Sequence, residues 1–249
     1  MTSSFPPPRA GEVVLAEGSK RCSLALVKAM ICDELGRGMS AIWIDGGMVL
    51  DPSSLISSLS RRGLRPALLD NLRVCRAFTA HQMVEVVRRV ESDISSDDGL
   101  QSARLIVATE LACMFPDEQV KPAEGRSMLR SSMARISSLA KGRGMLALVT
   151  ANYRRAPGIP RDMRSTMREI ADDRVTLLSY SDGLITSRLA SVGITSAPLS
   201  SVSHPTLLDF AAAGHMPRVA CEDPHDSSSA SETPNGEISA DAARRARAS

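Results

Sequence analysis

"VVLAEGSKRCSLALVKAM", residues 13–30, is the stretch on which the fold turns. Val13 to Ala16 are continuously apolar, as a strand covered on both faces by helices should be. From Leu24 onward, Val27, Ile31 and Leu35 recur at helical spacing. Between the two runs, Gly18 and Ser19 make a strand-to-helix turn with the outline of a phosphate-binding loop, although most residues that would touch a nucleotide are replaced.

Working outward, the same alternation continues. Ala41–Ile44, Leu105–Ala108 and Met145–Val149 are nearly unbroken aliphatic runs; Met83, Val87 and Val90, then Leu129, Met133, Ile136 and Ala140, keep a helical period between them. Strand–helix alternation predicts a mainly parallel sheet with crossover helices. Val175–Tyr180 and Leu184–Leu189 flank Ser181-Asp182-Gly183, which predicts an antiparallel hairpin at the sheet edge. The expected organisation is an N-terminal tail over 1–11, a core domain over 12–199, and an acidic, Ser-rich, disordered tail over 200–249.

Composition limits the classes open to the chain. Its 249 residues are 43% hydrophobic and only 3% aromatic, which suits one aliphatic α/β core rather than a β-sandwich. No apolar run reaches the roughly 18 residues that span a bilayer. The opening MTSSFPPPRAGE lacks the layout of a signal peptide, so a cytoplasmic location with no membrane partner is expected. The five cysteines, Cys22, Cys32, Cys75, Cys113 and Cys221, form no C-x-x-C pair and read as reduced residues, and no metal site is expected.

The net charge of +2 conceals an asymmetry. Between Lys121 and Arg174, twelve Lys or Arg stand against five acids, while the chain from Ser203 onward carries an acidic excess of three. Such a stretch reads either as a polyanion site or as a solvated helix face.

Together these segments resemble the RecA superfamily, and within it the archaeal RadA recombinases and their paralogues, from about Glu12 to Leu189. "AIWIDGGMVLDPSSL" is similar to the family's second core strand, normally I-D-T-E-G; "GLRPALLDNLRVCRAFTAHQMVEVV" to the link into the next strand and helix. "ARLIVATELACMF" stands where the family has L-V-V-I-D-S, and "GMLALVTANYR" where its strand ends in threonine and asparagine. The resemblance implies a RecA-like P-loop NTPase core: a mostly parallel sheet, flanking helices and an edge hairpin.

The resemblance also implies a degenerate nucleotide site. In the family's G-x-x-x-x-G-K-[ST] loop, backbone N–H groups and Lys hold phosphate and a hydroxyl holds magnesium. Those positions fall here on Leu15, Lys20, Arg21 and Cys22, with Gly18 and Ser19 alone keeping the usual look. Leu15 and Lys20 carry side chains where glycine is needed, and a thiol is a poor ligand for magnesium. The metal-orienting aspartate maps to Thr109, with Glu110 beside it, and the water-activating glutamate to Gly47; Asp45 remains as a strand-end residue. Four losses in one site imply that hydrolysis was abandoned. Lys20 and Arg21 leave a surface turn or a residual anion site open, the turn being favoured; ATP is therefore not favoured as a ligand, and no cofactor is expected.

After the Val149-Thr150 strand, where recombinases of this type touch DNA, the chain reads ANYRRAPGIPRDMRSTMR. Arg154, Arg155, Arg161, Arg164 and Arg168 would contact phosphates of single-stranded DNA and Tyr153 would stack on a base, with Pro157, Gly158 and Pro160 preventing a regular helix through the middle. Farther on, "HPTLLDFAAAG" is similar to the peptide that docks on the sliding clamp PCNA. His204, Leu207 and Phe210 take the key positions and Ala211 replaces the second aromatic, so packing back on the domain is the favoured alternative. The resemblance thus implies a non-catalytic paralogue assisting recombination or repair through DNA or a recombinase partner. An atypical active ATPase of RecA or KaiC-like type, or a protein-only scaffold, are the alternatives.

Overall fold

A computed structural model of the chain describes residues 10–96, 98–153, 158–181, 184–189 and 193–198. Strands and helices alternate as β1 (Val13–Glu17), α1 (Lys20–Gly36), β2 (Ala41–Asp45), α2 (Pro52–Arg61), β3 (Leu72–Arg76), α3 (Ala80–Ser96), α4 (Asp98–Gln101), β4 (Leu105–Thr109), α5 (Pro122–Arg143), β5 (Leu146–Ala151) and α6 (Arg161–Ile170). β6 (Asp173–Ser181), β7 (Leu184–Leu189) and β8 (Gly193–Pro198) follow. The eight strands form one sheet in the order β3-β2-β4-β5-β1-β6-β7-β8. Its first six are parallel, and β7 runs antiparallel to both β6 and β8.

Period-two alternation divides the core. Val13, Leu15, Ile42, Ile44, Ile106, Ala147 and Val149 face α3, α5 and α6, where Met83, Val87, Leu129, Met133, Ile136, Met163 and Met167 meet them. Val14, Ala16, Trp43, Val107 and Leu148 face the other way, onto Val27, Ile31 and Leu35 of α1 and Leu55 and Leu59 of α2. With both faces covered, β1, β2, β4 and β5 are buried at every position, which is why they read as unbroken aliphatic runs.

Two elements depart from expectation. β7 is an internal strand, because β8 pairs along its free side from Gly193 to Pro198; the β6–β7 hairpin is therefore not the edge. α6 begins immediately after Pro160, where the sequence suggests a loop; proline fits a helix start because the first turn has no use for its missing N–H. β3 forms the opposite edge and is partly exposed along its length. The turn residues Asp182 and Gly183, the arginines Arg154 and Arg155, and residues 199–249 with His204, Leu207 and Phe210 lie outside the described residues.

Candidate functional site

The connections leaving β1 and β2 run over the α1–α2 face, and those leaving β4 and β5 over the α5–α6 face. At the β1/β5 and β2/β4 neighbours, chains therefore depart in opposite directions beyond the carboxyl ends of the strands. Crevices at such reversals are where open α/β sheets bind ligands. Gly18, Ser19, Lys20, Arg21 and Cys22 follow β1, Tyr153 follows β5, and Thr109 ends β4, so these candidate residues stand at the two reversals.

At the β1/β5 reversal the strand-to-helix link is short. β1 pairs with Ala151 and Thr176 as far as Glu17, and Gly18 N–H still donates to Ala151 O at 3.1 Å. Ser19 is already the N-cap of α1: its Oγ accepts from Cys22 N–H at 3.3 Å and lies 3.1 Å from Cys22 Sγ. Only two residues thus join strand to helix, too few for a loop whose N–H groups curl round a phosphate. Leu15, at the first position of that loop, is fully buried in the sheet. The space above Gly18 is taken by β6, since a Cβ there would stand 2.7 Å from Leu177 Cβ. Lys20 and Arg21 are exposed on the first turn of α1, and Cys22 is buried.

The same crevice holds a cluster built on Glu17. Arg168 of α6 grips its carboxylate with two prongs, Nε to Oε1 at 2.7 Å and Nη2 to Oε2 at 3.1 Å. Tyr153, just past β5, donates its hydroxyl to Oε1 at 2.8 Å. Arg164 lies over the Tyr153 ring at 4.8 Å and donates from Nε to Ile159 O at 2.7 Å. Burial, and then the bond to Glu17, push the Tyr153 hydroxyl's pKa well above the ordinary tyrosine value. Tyr153, half-buried, and Arg168, at the surface, both expected to meet nucleic acid, are therefore already engaged by Glu17. Arg161 is exposed at the start of α6, one turn before Arg164.

At the β2/β4 reversal stand Gly47 and Thr109, the two positions where the resemblance leads one to expect carboxylates. Thr109 Oγ1 accepts from Trp43 Nε1 at 3.0 Å and lies 3.2 Å from Asp45 Oδ1. Asp45, fully buried, accepts from Val49 N–H, Leu50 N–H and Arg76, so it ties the loop after β2 to β3. Glu110 follows β4 in the left-handed region at φ 52°, a conformation costing a non-glycine residue on the order of 1–2 kcal/mol. Its buried side chain leans over Gly47, where an added Cβ would be 2.7 Å from Glu110 Cβ and 2.8 Å from its Cγ. Cys113 Sγ donates to Glu110 Oε2 at 3.1 Å, and Glu110 N–H to Thr150 Oγ1 at 3.2 Å. A side chain just past β4 thus occupies the room that a side chain at position 47 would use. The residues present do not fit a magnesium nucleotide: the hydroxyl of Thr109 is already bonded, Cys22 offers sulfur, and the phosphate loop has no length. Among the described residues no group of three His, Cys, Asp or Glu could hold a metal ion, and no helix is long and apolar enough to cross a membrane.

Five of the twelve basic side chains of the 121–174 stretch form ion pairs. Arg126 meets Asp162, Arg130 meets Glu169, Arg135 meets Glu91, Lys141 meets Asp172, and Arg168 meets Glu17. Sequence reading missed Glu17 as the organiser of the crevice; the one available signal is an acid ending a run of four apolar residues. It also left Glu110 outside the site, because an extended strand would turn it away, whereas its left-handed backbone turns it onto Gly47. Compared with known proteins, the chain matches no family model and no curated protein sequence.

Proposed function

We propose that this chain is a RecA-like paralogue of RadA type that has given up ATP hydrolysis and assists DNA recombination or repair by binding single-stranded DNA or a recombinase partner. The observation that carries the reading is the two-residue link between β1 and α1, with Leu15 in the core on one side of it and Ser19 capping the helix on the other. A phosphate cradle needs the length that this link lacks. Supporting it, the segments that resemble the RecA core fall on β1–α1, β2, β3–α3, β4 and β5 in the family's order. Gly47 and Thr109, at the carboxylate positions, offer neither an activated water nor a metal ligand.

The test is steady-state ATP turnover by the purified protein with magnesium, with and without single-stranded DNA. Turnover no greater than a protein-free blank is expected. Hydrolysis that disappears in Arg21→Ala or Glu110→Gln would instead favour the atypical ATPase, with Glu110 supplying from β4 the carboxylate missing at Gly47. The protein-only scaffold is favoured by a different observation, the pairing of five basic side chains of the 121–174 stretch with acids.

A further inference from the structure

We infer that the β1/β5 crevice is an oxyanion site whose resident anion is the chain's own Glu17 carboxylate, and that a phosphate group enters it by displacing Glu17 from Arg168. The inference concerns the access to the arginines on which the DNA reading draws, but it does not require DNA as the ligand.

A guanidinium fork delivering two parallel N–H bonds, joined by a phenolic O–H converging on the same carboxylate oxygen, is the arrangement that recognises a carboxylate or a phosphate. Here Arg168 Nε and Tyr153 Oη both reach Glu17 Oε1, at 2.7 and 2.8 Å, while Arg168 Nη2 reaches Oε2 at 3.1 Å. These donors come from α6 and from the end of β5, and the acceptor from the end of β1, so three separate elements meet at a sheet reversal. Arg164 adds a second guanidinium against the Tyr153 ring.

The acceptor and the fork differ in accessibility. Glu17 is 11% exposed at its side chain, whereas Arg168 is 43% exposed. Arg168 is thus the more open to solvent of the two partners, and an incoming anion meets the arginine first. A terminal phosphate carries more charge than a carboxylate and presents three oxygens to the same donors, whereas a backbone phosphodiester matches the carboxylate with one charge and two oxygens. The remaining barrier is the cost of leaving Glu17 unpaired in a nearly closed place, which keeps the site shut against weak anions.

The test compares wild type, Glu17→Gln, Glu17→Gln/Arg168→Ala, and Glu85→Gln, whose lost charge on the exposed Glu85–Arg88 pair equals that at Glu17. Inorganic pyrophosphate is titrated by calorimetry at low salt, and fluorescein-labelled oligo-dT by anisotropy, so small phosphate compounds and a nucleic-acid backbone are read separately. Pyrophosphate binding at least tenfold tighter in Glu17→Gln than in wild type or Glu85→Gln, returning to the wild-type value when Arg168 is also removed, supports the inference. Equal affinity in Glu17→Gln and wild type overturns it, as does a gain that survives loss of Arg168. Oligo-dT gaining alongside pyrophosphate identifies a backbone phosphate as the ligand, and pyrophosphate gaining alone identifies a small phosphate compound. Failure of oligo-dT to bind any variant counts against the DNA reading only. If circular dichroism reports that Glu17→Gln is unfolded, Glu17→Asp takes its place, drawing the carboxylate back by one methylene. A gain of threefold or more then supports the inference, and no gain overturns it.

Discussion

Gly47 is a glycine because of Glu110. A methyl group at position 47 would approach Glu110 Cβ to 2.7 Å, closer than side-chain carbons pack, and Glu110 is itself held in a left-handed conformation. Gly47→Ala should therefore cost about 1–3 kcal/mol in urea unfolding, followed through Trp43, the single tryptophan. In the Glu110→Gly background the same change should cost at least about 1 kcal/mol less, since both the clash and the unfavourable φ are gone. Strictly additive losses would mean that the two positions do not touch. Tyr153 gives a second prediction at this scale. Its folded pKa is raised, so above the ordinary tyrosine value near 10 the unfolded chain releases a proton that the folded chain keeps. The stability it contributes is whole below about pH 10 and is lost as pH climbs beyond it. Tyr153→Phe should lose less stability than wild type between about pH 9 and about pH 11. Parallel losses in the two proteins would refute the raised pKa, and with it the burial of the hydroxyl against Glu17.

Among the elements, α1 depends on its cap. Ser19 satisfies an N–H of the first turn that has no partner within the helix, and no acidic residue occupies that turn to help. Ser19→Ala should lower the unfolding free energy by about 1 kcal/mol and Ser19→Gly by only a few tenths, as measured by denaturant titration. A phosphate-binding reading of Ser19 would predict no such ordering. What was legible in the sequence divides along burial. β1, β2, β4 and β5 lie under helices on both faces, so each opens with a run of four apolar residues that announces it. β3, with Leu72-Arg73-Val74-Cys75-Arg76, is partly exposed and carries no comparable run; only its resemblance to a known segment marks it. β8 is the other edge, its Gly193–Pro198 stretch too polar to stand out. α6 was hidden by Pro157, Gly158 and Pro160, which signal a loop although Pro160 introduces a helix. The candidate site was legible where it depends on local sequence, at Gly18-Ser19, and illegible where it depends on contacts such as Glu17 with Arg168, 151 residues apart.

At the scale of the molecule, charge placement decides how the protein could meet a polyanion. The basic excess between Lys121 and Arg174 is a property of the sequence, and folding sets only Arg135 and Arg168 of it against acids from outside the stretch, Glu91 of α3 and Glu17 at the end of β1. What remains for a phosphate backbone centres on the start of α6: Arg161, Arg164 and the neighbouring Arg154 and Arg155 in the sequence. If these groups contact single-stranded DNA, log affinity should fall linearly with log salt, by roughly 0.7 per phosphate neutralised, with little sequence preference. Replacing Arg154, Arg155 and Arg161 together with Ala should flatten that slope by about 2. Tyr153→Ala should leave the slope alone. It should also cost less than the roughly 1–3 kcal/mol of an open stacking platform, because Arg164 already covers the ring and Glu17 holds the hydroxyl. Fluorescence anisotropy across a salt series on wild type and these two variants measures all three quantities. An unchanged slope in the triple variant would move the contact away from α6. Absence of binding at the lowest salt would put the protein-only scaffold first, with the exposed arginines facing an acidic protein partner instead.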